Sequence, residues 1–128
     1  MASDRLLLTD FGLNLMAGLV VRGVDTFNTD RPTELHASFC EAFKVVQRKL
    51  GYAKLNFVIN INRAYGTSAS VDIILNHWYN SWATKEIPGT VWRLRMNQRA
   101  ARSRLAKHPE HRELYLQAAD AFLQRYHG

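Results

Sequence analysis

Residues 90–107 read Thr-Val-Trp-Arg-Leu-Arg-Met-Asn-Gln-Arg-Ala-Ala-Arg-Ser-Arg-Leu-Ala-Lys. In the first half, Trp92, Leu94 and Met96 alternate with Val91, Arg93, Arg95 and Asn97. Period two with large apolar residues predicts a strand over 90–97, with one oily face and one largely basic face. After Asn97 the period changes. Ala101 and Leu105 stand four apart with arginines around them, which predicts a short helix over 98–107. A strand feeding directly into a helix decides for a mixed architecture, and the helices predicted on either side decide its proportions.

Upstream, the clearest segment is Pro32 to Leu50. Its apolar residues Leu35, Phe39, Phe43, Val46 and Leu50 form a helical stripe. Thr33 or Asp30 can cap its start, and Gly51 can end it in the left-handed conformation. Phe11, Leu15 and Leu19 recur every four residues, so Thr9 to Arg22 also reads as a helix, at a cost of roughly 1 kcal/mol for each internal glycine. A strand pair is the alternative for that segment. Leu55, Phe57, Ile59 and Ile61 alternate with Asn56, Val58, Asn60 and Asn62, which predicts a strand over 55–62. Val71, Ile74, Leu75, Trp78 and Trp82 predict a helix over 71–83, capped by Ser68 or Ser70, with a strand as the alternative over the β-rich Val71 to Leu75. Ile87-Pro88-Gly89 reads as a turn. Pro109 suits the first turn of a last helix, whose stripe is Leu114 or Tyr115, Ala118, Phe122 and Tyr126.

The fold class expected is therefore α+β, with about five helices packed on a small sheet in a single globular domain spanning 1–128. Two strands make a poor sheet. Either the N-terminal segment contributes strands, or a partner chain completes the sheet, or one of the two strand readings is wrong. With 128 residues, 47% of them hydrophobic, the chain can bury one core without a metal or disulfide staple. The lone cysteine, Cys40, has no internal partner for a disulfide. The apolar run from Phe11 to Val21 is broken by Asn14 and closed by Arg22, so it is too short to span a bilayer. A cytoplasmic protein with no membrane partner is the expectation.

The net charge is +6, and it is segregated along the chain. Between Glu86 and Glu110 lie Arg93, Arg95, Arg99, Arg102, Arg104 and Lys107 with no acid. Between Glu41 and Asp72 lie Lys44, Arg48, Lys49, Lys54 and Arg63, again with no acid. The planar fork of arginine pairs bidentately with phosphate, and an aromatic such as Trp82 or Trp92 nearby can stack on a base. The expected function is non-enzymatic binding of RNA or DNA through Arg93, Arg95, Arg99, Arg102, Arg104 and Lys107, with Lys44, Arg48, Lys49 and Lys54 as a second contact. The chief alternative is an interaction or assembly protein, a homo-oligomer or an adaptor whose arginines meet an acidic protein surface.

Four other constellations bring chemistry-bearing residues together. The loop from Arg63 to Ser70 leaves a strand and enters a helix, where free N–H groups attract anions, but it lacks the lysine and second glycine of a phosphate-binding loop. His36, Cys40, His108 and His111 include acceptable zinc ligands at no familiar spacing, and His36 with Cys40 could form a nucleophilic dyad. A buried thiol is the plainer reading, and no cofactor is expected. Arg102 and His108 share the Arg-x5-His spacing of HEPN-type ribonucleases, a resemblance confined to seven residues. It implies a small ribonuclease acting through that pair, although Pro109 sets His108 at a helix start, unlike that all-helical family. Trp78, Tyr79 and Trp82 could line a pocket, and at helical spacing they equally suit a core.

Overall fold

The computed structural model describes residues 5–85, 91–107 and 109–126. Its helices are α1 (Leu8–Val21), α2 (Pro32–Leu50), α3 (Ala69–Ser81), α4 (Gln98–Ala106) and α5 (Pro109–Arg125). Its strands are β1 (Thr26–Asn28), β2 (Ala83–Lys85) and β3 (Val91–Leu94). The architecture is α+β, with the helices and a small antiparallel sheet sharing one hydrophobic core. Among the described residues no helix is long and apolar enough to cross a membrane.

Helix α1 is buried almost all round, from Phe11 to Leu13 and from Leu15 to Val20, so it is the central element. Helices α3, α4 and α5 pack against it. At Gly18 the approach to α5 is so close that a Cβ would sit 2.5 Å from the Tyr115 carbonyl oxygen. Arg22, at the end of α1, grips Asp120 on α5 through Nε and Nη2, at 2.9 and 3.0 Å. The stripe of α2 (Leu35, Phe39, Phe43 and Val46) is buried along α5. Around Phe39 the rings of Trp78 and Phe122 close in at 5.3 and 5.1 Å. Gly51 ends α2 with φ +80°, a conformation that favours glycine. The start of α2 differs from expectation: Arg31 occupies the cap position, and neither Thr33 nor Asp30 supplies a side-chain cap bond. Pro32 needs no N–H partner in the first turn, which lowers the demand for one.

The sheet order is β1-β3-β2, with Phe27 opposite Trp92 and Ala83 opposite Leu94. Trp92, Leu94 and Met96 are buried while Arg93 and Arg95 face outward, as the alternation predicts. The missing strands come from 26–28 and 83–85, within the chain, and residues 8–21 are helical.

Residues 55–62 correct the expectation of a strand. Burial alternates along them, with Leu55 and Ile59 inside and Asn56, Val58, Asn60 and Asn62 outside. Yet the pairing there is a single parallel bridge, Leu6 to Leu55. Two further backbone groups of the segment turn to the loop that follows it. Ser70 Oγ donates to the Val58 carbonyl at 2.9 Å, and Asn62 N donates to the Thr67 carbonyl at 2.7 Å. Period two reports that the segment lies across a core. It carries no information about a neighbouring strand.

Candidate anion-binding cleft

The single bridge at Leu6 has a consequence for charge. Leu6 N donates to the Lys54 carbonyl at 2.7 Å, and Asn56 N donates to the Leu6 carbonyl at 3.0 Å. The chain before α1 is thereby tied to the turn after α2, and Arg5 comes to lie beside Lys54. Helix α4 approaches from the other side. The result is a cleft of about 640 Å³, into which Arg5, Lys49, Lys54, Arg104 and Lys107 project with Asp10, Asn14 and His111. Among the described residues five cationic side chains meet one carboxylate there. The two basic stretches, far apart in sequence, converge at this place.

Arg104 is the anchored member. Its Nε donates to Asn14 Oδ1 at 2.9 Å, and its Nη2 stands 3.8 Å from Asp10 Oδ1. Asp10 and Asn14 are one turn apart on α1 and so share a face. Beneath them lies Tyr115, 1% exposed, with a hydroxyl that makes no hydrogen bond of normal geometry. Burial pushes that hydroxyl up to about 12; the Asn14 amide eases the shift, the Asp10 carboxylate adds to it and Arg104 opposes it. The His111 ring stands edge-on to Tyr115, centroids 6.5 Å apart. Lys49, Lys54 and Lys107 are exposed and have no ion-pair partner among the described residues. Their charges are held together by the fold alone, which leaves the cleft strongly attractive to anions.

The other candidate cations lie elsewhere. Ala101 and Leu105 pack inward on α4. At 3.6 residues per turn, Arg102 and Arg104 point about 200° apart, on opposite flanks of that buried pair. Arg99 falls on the Arg102 side, and both are exposed. Arg93 and Arg95 stand on the outer face of β3 and just beyond it. Lys44 and Arg48 line a separate groove between α2 and α5 with Arg125, and Lys44 pairs with Glu41 at 3.0 Å. Of the ten cations singled out in sequence, the cleft gathers Lys49, Lys54, Arg104 and Lys107. Sequence reading missed Arg5, Asp10 and Asn14. The one available signal was Asn14 itself, a polar residue breaking an otherwise apolar helical run.

The remaining constellations have structural occupations. In the 63–70 loop, Asn62 Oδ1 accepts from Ala64 N and Tyr65 N, and the Asn62 carbonyl accepts from Gly66 N. Ser68 N donates to His36 Nδ1 at 2.9 Å, and Ser68 Oγ caps α3 by accepting from Val71 N. These N–H groups have acceptors within the protein and are not presented to an anion. His36 is buried, with Nε2 3.5 Å from Asp72 Oδ1. Cys40 Sγ turns to the Ile59 carbonyl at 3.8 Å, and burial raises its pKa, with Lys44 opposing and Glu41 adding. A raised thiol pKa works against a nucleophilic dyad. Among the described residues no three His, Cys, Asp or Glu side chains are grouped to hold a metal ion. His108 and the 87–89 turn lie outside the described residues. Trp78 is core, while Tyr79 is partly exposed over Trp92 at 5.4 Å. Compared with known proteins, the chain matches no family model, no curated protein and no solved structure.

Proposed function

We propose that the protein binds nucleic acid, and that the cleft between α1, α4 and the turn after α2 is its phosphate-contacting centre. The observation that carries this reading is the convergence of Lys49 and Lys54 with Arg104 and Lys107, three of the four without an ion pair among the described residues. A purely solvated set of surface charges would spread apart, since like charges repel. Here Arg104 is fixed by Asn14 in the position that serves the cluster. Arg93, Arg95, Arg99 and Arg102 lie outside the cleft and add only to the longer-range positive field. For the assembly alternative, β1 and β2 supply the strands that a two-stranded sheet lacks, and both stand at the edges of the sheet.

Fluorescence anisotropy with labelled single-stranded RNA and DNA, over a salt series, tests the proposal. Neutralising about four phosphates of a single strand gives a log–log slope near −3. Micromolar affinity with such a slope supports the reading. Absence of binding at low salt removes it.

A further inference from the structure

The cleft holds one feature that phosphate binding alone does not use. Asp10 is a carboxylate in the midst of five cations, and its side chain is 51% exposed. A phosphate placed among the lysines meets repulsion from it. Nor is Asp10 fully engaged by Arg104: the 3.8 Å separation is beyond hydrogen-bond reach. Its oxygens are therefore left as acceptors at the wall of a cleft whose other charged groups are donors. A ligand that satisfies both carries phosphate and, close to it, a hydrogen-bond donor. Base N–H groups are donors in both nucleic acids, but the ribose 2′-hydroxyl stands beside the backbone phosphates at every RNA position and is absent from DNA. The cleft volume of about 640 Å³ suits a ligand of nucleotide size.

We infer that the cleft selects RNA over DNA, with Asp10 accepting a hydrogen bond from a ribose 2′-hydroxyl while Lys49, Lys54 and Lys107 hold the adjoining phosphates. The inference rests on the proposed phosphate-binding role of the same cleft. The 2′-hydroxyl is the group by which a protein tells the two nucleic acids apart at a given position. A carboxylate makes the stronger, charge-assisted form of that bond. Asn14, one turn along α1, keeps Arg104 in place beside Asp10, so the acceptor and the cations are held in a fixed relation.

The test is anisotropy at one salt concentration with three single strands of matched sequence: RNA, DNA and 2′-O-methyl RNA. RNA is expected to bind roughly tenfold tighter than DNA, the worth of one hydrogen bond to a charged group. The 2′-O-methyl strand, which has lost the donor, should bind like DNA. In Asp10→Ala the RNA preference should fall to near one, with DNA affinity unchanged or improved because a repelling charge has gone. Equal affinity for RNA and DNA in the wild-type protein overturns the inference while leaving phosphate binding standing. So does an Asp10→Ala variant that weakens both strands alike, which would mark Asp10 as a support for Arg104. Should that variant fail to fold, the methylated strand decides: affinity equal to that of RNA overturns the inference. If neither RNA nor DNA binds at low salt, both the phosphate reading and the inference fall.

Discussion

Arg104 Nε donates to Asn14 Oδ1 at 2.9 Å, joining two side chains 90 residues apart and fastening α4 to α1 at the wall of the cleft. One arginine thus serves both packing and charge. A guanidinium presents its donors in a fixed plane, whereas a lysine ammonium is a flexible point charge. Arg104→Lys should therefore keep the net charge and still lose function. The expected result is a several-fold drop in nucleic-acid affinity and a stability loss of about 1 kcal/mol, because the part-buried Asn14 oxygen loses its partner. Urea titration and anisotropy on the same sample check both halves.

Gly18 sets the distance between α1 and α5. Alanine would improve helix propensity by about 1 kcal/mol. Its Cβ would also lie 2.5 Å from the Tyr115 carbonyl oxygen, which is backbone and cannot rotate aside. Overpacking of this kind costs about 1–3 kcal/mol, and a backbone obstacle places it at the upper end. Gly18→Ala should therefore destabilise the protein by about 2 kcal/mol net. A raised melting temperature would show that the helices separate freely.

His36 makes stability depend on pH. Burial lowers its pKa below the ordinary 6.5, and the neighbouring Asp72 offsets this only in part. In the folded state Nδ1 accepts from Ser68 N, which requires that nitrogen unprotonated. The unfolded chain takes up a proton below about pH 6.5 that the folded chain resists, so this contribution is complete above that pH and is lost progressively as pH falls from there through the lower folded pKa. His36→Asn retains an acceptor for Ser68 N and does not titrate. Between pH 7 and 5 the wild-type melting temperature should fall more steeply than that of His36→Asn, and Asp72→Asn should steepen the wild-type fall further. Parallel curves would contradict this.

Tyr115 carries a buried hydroxyl without a well-formed bond. Removing such a group leaves nothing unpaired behind. Tyr115→Phe should leave stability unchanged or raise it by up to about 1 kcal/mol, as measured by urea denaturation. A clear loss would mean that the hydroxyl bonds to Asn14 in solution.

Much of the fold was legible because its punctuation is local. Pro32 and Gly51 bracket α2, and the structure ends it where the stripe ends, at Leu50. The strand-to-helix change at Asn97 was also readable, since Asn97 caps α4 by accepting from Ala100 N at 2.8 Å. β1 and β2 were not, because three residues are too few to establish a period. Residues 55–62 misled for a physical reason: lying across a core imposes the alternation of a strand without supplying a neighbour. The cleft was half legible. The cations were visible as charge runs, but their sorting depends on which flank of α4 each occupies and on the Leu6–Leu55 bridge that draws Arg5 to Lys54. Helix phase relative to the core separates Arg104 from Arg102, and that phase was available in Ala101 and Leu105.

The most direct test of the cleft compares two double variants on single-stranded nucleic acid over a salt series: Lys49→Ala with Lys107→Ala, and Arg99→Ala with Arg102→Ala. All four side chains are exposed, so the fold should survive in both. The cleft pair should cost at least tenfold in affinity and flatten the log–log salt slope by about 1.4, two phosphate contacts' worth, while the outer-flank pair changes both far less. A cleft variant that binds as the wild type does, or an outer-flank variant that loses more, would contradict the assignment of the cleft as the phosphate-binding centre.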